Sequence, residues 1–174
     1  MEIRALRGSD NRSSFRSGDP DLDGFFQEYA GQNQFRHHIG ATYVAVEGNR
    51  VAGYVTVSPG QIEIEDLPSY QRRRLPRYPL PILRLARLAV DESFQGRGLG
   101  RQLLRFVLGL ALQMAGDFGC IGVVVDAKPG AVSFYAQFGF APLEVVEGQS
   151  PVPPAATAMF LARTEIEAAG SGLL

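Results

Sequence analysis

The chain has 174 residues, 45% hydrophobic and 20% charged, the balance of one soluble globular domain with a sizeable core. Its net charge of −1 excludes an overall polycation, and no apolar run reaches membrane-spanning length. The single cysteine, Cys120, excludes a disulfide within the chain and points to a cytoplasmic protein. The N-terminus is polar by residue 7, so no signal peptide is expected. Lys128 is the one lysine among 17 basic residues. The others are arginines, whose planar guanidinium suits phosphate, although a GC-rich gene accounts for most of the bias. Cys120 lies in an apolar setting without a neighbouring cation and reads as a small core residue.

Glu2 to Leu6 alternates like an edge strand, and Gly8 to Ser17 is loop-like. Asp19-Pro20 starts a helix, with Asp as N-cap and Pro in the first turn. Leu22, Phe25, Phe26 and Tyr29 share one face of it; Gly31 breaks it, and Gln32 to His38 continues as a short polar helix or loop. Ala41–Val46 and Val51–Val57 are β-rich and joined by Glu47-Gly48-Asn49-Arg50, a hairpin signal. Gly60 to Pro81, with its prolines and arginines, reads as a long surface loop. A buried strand follows from Ile82 to Val90, then a break at Asp91-Glu92-Ser93. After Gly96, Gly98 and Gly100 comes a long helix with Leu99, Leu103, Val107, Leu110, Ala111 and Met114 on one face. Gly122–Asp126 is a short strand; Ala131, Phe134, Tyr135 and Phe138 pattern a helix ended by Gly139. Two last strands, Phe140–Val145 and Ala156–Ala162, flank the Pro-rich stretch Glu147–Pro154. Residues 1–163 read as the domain and 164–174 as a frayed tail. The order β-α-α-β-β-β-α-β-α-β-β is that of an α/β fold, a mixed twisted sheet with helices on both faces.

Strand, glycine turn and helix N-terminus together form an anion site, because unpaired N–H groups and the helix dipole point at the turn. The Gly-x-Gly-x-Gly spacing fits the dinucleotide fingerprint poorly, and the Walker A lysine is missing. The pattern that fits is Gln95-x-x-Gly98-x-Gly100, which resembles the acyl-CoA loop of the GNAT superfamily of N-acetyltransferases. The element order is also that family's. The resemblance implies that Gln95, Gly96, Arg97, Gly98, Leu99, Gly100 and Arg101 hold the CoA pyrophosphate and that Leu88, Ala89 and Val90 hold the pantetheine arm. Acetyl-CoA is then the co-substrate, and no metal is called for.

Further motifs narrow the likeness. Phe15-Arg-Ser17-Gly18-Asp-Pro-Asp-Leu22-Asp23-Gly-Phe25-Phe26 resembles the opening of one branch, the TacT- and AtaT-like acetyltransferase toxins of type II toxin–antitoxin modules. Thr42-Tyr43-Val44, Val51-Ala52-Gly53-Tyr54-Val55 and Leu75-Pro76-Arg77-Tyr78-Pro79 are similar to the same branch, as is Phe134-Tyr135-x-x-Phe138-Gly139-Phe140. That branch acetylates the α-amino group of aminoacyl-tRNA and is silenced by a small ribbon-helix-helix antitoxin; a homodimer is the implied assembly. The resemblance places Tyr135 where the family tyrosine protonates the CoA sulfur, a role suited to a phenol. The backbone N–H of Val90 or its neighbour is the group to polarise the thioester carbonyl. No general base stands out: His37 and His38 read as surface residues, and Asp126 reads equally as a base or a turn residue. An α-amino group, with a pKa of about 8, needs little help. Arg72, Arg73, Arg74 and Arg77, with Tyr70 and Tyr78, form the densest basic cluster and suit RNA phosphates and bases; Arg36, Arg84 and Arg87 add to it. The competing readings are an acetyltransferase for a small amine or a protein N-terminus, and a non-catalytic acyl-CoA-binding or interaction domain.

Overall fold

The computed structural model describes residues 1–67, 69–143 and 156–170. Its described strands form a mixed seven-stranded sheet in the order β1-β2-β3-β4-β5-β7-β6. The chain divides into two compact units, Met1–Ser58 with Leu85–Gly109, and Pro59–Arg84 with Leu110–Leu174.

In the first unit, β1 (Glu2–Ala5) pairs antiparallel with β2 (Ala41–Glu47), Ala5 lying opposite Tyr43. β2 returns antiparallel as β3 (Arg50–Ile62). Glu47 faces Arg50, so Gly48-Asn49 makes the tight turn, and Gly48 has a φ of 62°. α1 (Pro20–Gly24) begins as its sequence dictates: the Asp19 carboxylate accepts from the N–H groups of Asp21 at 2.9 Å and Leu22 at 3.3 Å.

Beyond α1 the sequence reading needs correction. Gly31 does not stop the helix. The chain passes through a π turn at Phe25–Tyr29, α2 (Ala30–Gln32) and a second π turn at Asn33–His37, and ends at His38 with a φ of 53°. Gly31 is small because the Arg12 guanidinium packs on it: a Cβ there would meet its nitrogens at 2.8 and 2.9 Å. The same guanidinium donates to the Phe26 carbonyl at 3.3 Å. Each π turn takes up extra residues and rotates the face that follows. Ala30 is therefore buried, while Tyr29, expected inside, is 49% exposed. The core here is aromatic. Phe26 stacks on Tyr54 at 4.4 Å, and Phe15 meets Phe26 edge-on at 4.9 Å. The buried Tyr54 hydroxyl donates to the Leu22 carbonyl at 2.7 Å.

In the second unit, the stretch from Gly60 to Pro81 is less of a loop than its composition indicates. β3 continues to Ile62, a 3₁₀ turn spans Ile64–Asp66, α3 covers Ser69–Arg72, and β4 (Leu80–Val90) starts two residues early. Ile62, Ile64 and Leu67 sink into a core with Leu80, Ile82, Val124 and Phe160, and these anchors explain the extra order. β5 (Gly122–Ala127) pairs antiparallel with β7 (Thr157–Ala162). A Cβ on Gly122 would collide with the Leu161 carbonyl and the Phe160 ring. α5 (Val132–Ala136) ends at Gly139, whose φ of 96° lets the Phe140 N–H bond back to the Tyr135 carbonyl at 3.3 Å. Of the strand expected over Phe140–Val145, β6 takes only Ala141–Pro142, and Phe140 and Leu143 lie outside it; Glu144, Val145 and the Pro-rich stretch fall outside the described residues. The segment read as a frayed tail forms α6 (Arg163–Gly170). Buried Ile166 fixes it, and Arg163 pairs with Glu167 one turn on at 2.6 Å.

Candidate active site

The glycine turn lies in the first unit. α4 (Leu99–Asp117) follows it and buries Leu99, Leu103, Leu104 and Val107. Gly96 and Gly98 have φ of 78° and 79°, and a Cβ on either would meet no other atom, so the backbone faces open space. Gly100 differs: it lies in the first turn of α4 rather than in the bend. The Gln102 N–H bonds back to the Gly98 carbonyl at 3.2 Å, and the N–H groups before it have no such helical partner, as at any helix start. Those donors, the dipole and the Arg97 and Arg101 side chains at the surface make an anion cradle. The residues thus fit a pyrophosphate. Leu88, Ala89 and Val90 close β4 just before the turn.

Gln95 is a brace. Its amide nitrogen donates to the Val90 carbonyl at 2.9 Å and the Ser17 carbonyl at 2.8 Å, tying the turn to the end of β4 and to the N-terminal segment. Asp91, which the sequence offered only as a break, is the second brace and is buried. Its carboxylate accepts from the N–H groups of Arg16 at 3.0 Å and Ser93 at 2.9 Å, with the Arg50 guanidinium at 3.6 Å. Burial alone raises this carboxyl; the two N–H groups, the Ser93 hydroxyl and Arg50 outweigh it and hold Asp91 below the ordinary carboxylate value. The Glu92 N–H returns a bond to the Arg16 carbonyl at 2.8 Å. Asp23, also buried, accepts from the Ser17 N–H at 2.9 Å and its hydroxyl at 2.6 Å. The Phe15-Arg-Ser17-Gly18 motif therefore has a physical reason: Phe15 fills the core, and the residues after it clip to the glycine turn. Phe94 in the turn lies under two guanidinium groups, Arg50 at 5.1 Å and Arg97 at 5.5 Å.

Tyr135 belongs to the second unit. Its ring packs edge-on against Phe134 at 5.1 Å and Phe140 at 5.5 Å, and burial pushes its phenol up to about 12. Every enclosed side-chain nitrogen or oxygen among the described residues is hydrogen-bonded. Among the described residues the Tyr135 hydroxyl has no hydrogen-bond partner. A neutral phenol of this kind is a proton donor at any physiological pH. Asp126 is half-exposed and paired with Arg84 at 3.3 Å, which makes it a weaker base candidate. Cys120 is buried, burial raises its thiol, and its sulfur lies 3.2 Å from the Gly122 carbonyl, as befits a core residue. His37 and His38 are exposed.

The arginine cluster is not uniform. Arg72 donates through Nε to the Leu67 carbonyl at 2.8 Å and helps to shape its own segment. Arg73, Arg74 and Arg77 are exposed, as are Tyr70 and Tyr78. Arg87 belongs to the first unit, with its guanidinium 3.7 Å above the Phe25 ring. It lines a small cavity of 190 Å³ with Thr42, Thr56 and Asn33.

Residues 38–142 match the model of the acetyltransferase (GNAT) domain family. The tRNA-acetylating toxin of Mycobacterium tuberculosis is 36% identical over 140 residues, which are 79% of this chain and 82% of that protein. The structure of AtaT complexed with acetyl-methionyl-tRNAfMet is similar with a TM-score of 0.84 at 27% identity, over 97% of this chain and 98% of that one. The structure of AtaTR bound with AcCoA gives 0.79 at 27% identity, over 97% of each chain. A family match over more than half of the sequence and a relative 36% identical over four-fifths of the chain show that the chain belongs to the GNAT family and is an N-acetyltransferase.

Proposed function

We propose that the protein transfers the acetyl group of acetyl-CoA to the α-amino group of an aminoacyl-tRNA, as the toxin of a toxin–antitoxin module. The observation that carries the substrate is the 36% identity with a tRNA-acetylating toxin across four-fifths of both chains. In this reading, residues 1–163 are the catalytic domain, and the protein acts in the cytoplasm as a homodimer held in check by a small ribbon-helix-helix antitoxin. Acetyl-CoA supplies the acetyl group as a thioester. The chain's own residues do the rest. Gln95 and Asp91 fix the glycine turn, and the amides from Gly96 to Arg101 bind the pyrophosphate. Leu88 to Val90 orient the pantetheine arm, and the N–H of Val90 polarises the thioester carbonyl. The neutral amine attacks the carbonyl, a carbon–nitrogen bond forms as the carbon–sulfur bond breaks, Tyr135 gives its proton to the departing sulfur, and the proton shed by the acylated nitrogen returns through water to the Tyr135 phenolate. Arg72, Arg73, Arg74, Arg77 and Arg87 serve the RNA, Arg72 by holding the segment that carries its neighbours.

The test is incubation with labelled acetyl-CoA and total charged tRNA, followed by mass analysis of the aminoacyl adenosine released by nuclease. Acetyl label on the α-amino group of at least one aminoacyl adenosine supports the reading. Label confined to free amines or to protein N-termini refutes it.

A further inference from the structure

A cleft of the second unit, lined in part by Arg73 and Arg74, has features that the acetyl transfer derived above does not use. It measures 420 Å³, and among its lining residues are Tyr70, Gln71, Arg73, Arg74, Arg163 and Glu165. That volume is in the range of small-molecule sites, about 300–1,000 Å³. Three features of its wall are unexplained by packing. Arg73 and Arg74 have no hydrogen-bond or ion-pair partner among the described residues, whereas Arg163 is neutralised by Glu167 at 2.6 Å. Tyr70 leaves 62% of its surface exposed beside them. The Gln71 amide nitrogen donates to Glu165 Oε1 at 3.3 Å and to the Tyr70 hydroxyl at 3.4 Å, which leaves the Gln71 carbonyl and the Glu165 carboxyl as acceptors in the cleft, and burial raises the Glu165 carboxyl.

These three features suit different parts of one ligand. Two unpartnered guanidinium groups suit a phosphate. An exposed phenol ring suits the flat face of a base. An amide–carboxyl pair suits the polar edge of a base, since a carboxylate accepts from an exocyclic amine. An acidic peptide would satisfy the arginines but would be repelled by Glu165 and would leave the ring unused. A paired helix offers no free base face. We propose that this cleft is a subsite for a single unpaired nucleotide of RNA, with the phosphate on Arg73 and Arg74, the base on Tyr70 and the base edge on Gln71 and Glu165. The inference rests on the RNA substrate proposed above and adds Tyr70, Gln71 and Glu165 to it.

The test measures binding of a fluorescein-labelled, short single-stranded oligoribonucleotide to the full chain by anisotropy, over a range of salt concentrations. Acetyl-CoA affinity, measured by calorimetry, reports that each variant is folded. Tyr70→Ala is expected to weaken binding about tenfold and to leave the salt slope unchanged, because stacking releases no counterions. Arg73→Ala with Arg74→Ala is expected to weaken binding and to flatten the log–log salt slope by about 0.7, the share of the one phosphate the pair neutralises. Arg7→Ala with Arg105→Ala removes the same charge from two other exposed arginines and should change little. The subsite is overturned if the wild type binds no oligoribonucleotide, if Tyr70→Ala binds like wild type, or if the control pair loses as much as the cleft pair. It is also overturned if a polyglutamate peptide displaces the RNA at matched concentration. The two proposals fail separately. RNA held by the cleft without acetylation of charged tRNA refutes the function and leaves the subsite standing. Acetylation of charged tRNA with an unchanged KM in the Tyr70 and Arg73/Arg74 variants refutes the subsite alone.

Discussion

At the scale of single residues, Tyr135 and Asp91 do opposite jobs with buried polar groups. Tyr135 has no hydroxyl partner among the described residues, so Tyr135→Phe removes a proton donor and almost no packing. Turnover is expected to fall about 10²–10⁴-fold with acetyl-CoA affinity unchanged, read by thiol release and calorimetry. Because burial holds the phenol near 12, the donor form outlasts the ordinary tyrosine range. The alkaline limb of kcat should show no loss centred near about pH 10. The sign for stability follows from the raised value: the neutral phenol's contribution is complete below the unfolded-state pKa and is lost as pH climbs toward the folded one. Asp91, by contrast, is fully partnered. Asp91→Asn gives up charge-assisted bonds and should cost about 1–3 kcal/mol, with weaker acetyl-CoA binding because the turn loosens. Here the folded pKa is depressed, so the stabilisation is present above about pH 4 and disappears as pH falls through the lowered value. Thermal melts of the two proteins should therefore lie apart at neutral pH and converge in acid. Tyr135 was legible in the sequence because its neighbours form a short local pattern. Asp91 was not, because the Arg16 N–H that explains it lies 75 residues away.

At the scale of elements, the local signals were readable where the cause is local. The Asp19 cap, the Gly48-Asn49 turn, the α4 stripe and the Gly139 stop each depend on residues a few positions apart, and each appears where the sequence put it. Gly31 misled because its reason, the Arg12 guanidinium, comes from an element distant in sequence. The π turns misled because hydrophobic spacing assumes one constant period. Gly98 and Gly53 allow a sharp comparison of two glycine roles. Gly98 is in the left-handed region with open space around it. Gly98→Asp should cost at least about tenfold in acetyl-CoA affinity through its charge, with a modest change in melting temperature. Gly53 is the reverse case. A Cβ there would meet Leu103 Cδ1 at 2.9 Å, the Ala89 carbonyl at 3.0 Å and Leu99 Cδ2 at 3.3 Å, so β3, β4 and the start of α4 would have to part. Gly53→Ala should lower stability by about 1–3 kcal/mol, seen in denaturant melts.

At the scale of the whole molecule, the net charge of −1 conceals a local excess of arginine in residues 72–77. Changing Arg73, Arg74 and Arg77 to Glu while keeping Arg72, which braces the Leu67 carbonyl, should raise KM for charged tRNA and leave acetyl-CoA affinity alone. The salt slope of tRNA binding should become shallower by about 2. The overall order of strands and helices was legible because each element carries its own hydrophobic period. The order hidden between Gly60 and Pro81 and after Thr164 was not, because it rests on single anchors, Ile64, Leu67 and Ile166, whose partners lie elsewhere in the chain. The clip between the N-terminal segment and the glycine turn carries one more lesson. The family match begins at residue 38, well after Arg16 and Ser17. A polypeptide trimmed to that boundary keeps Gly96, Gly98, Gly100 and Tyr135, yet Asp91 loses the Arg16 amide and Gln95 loses the Ser17 carbonyl. The portion that the family model matches is thus shorter than the portion that builds the turn. A cleavage site placed between residues 18 and 38 is expected to weaken acetyl-CoA binding, read by calorimetry, while leaving the residues that match the family model intact.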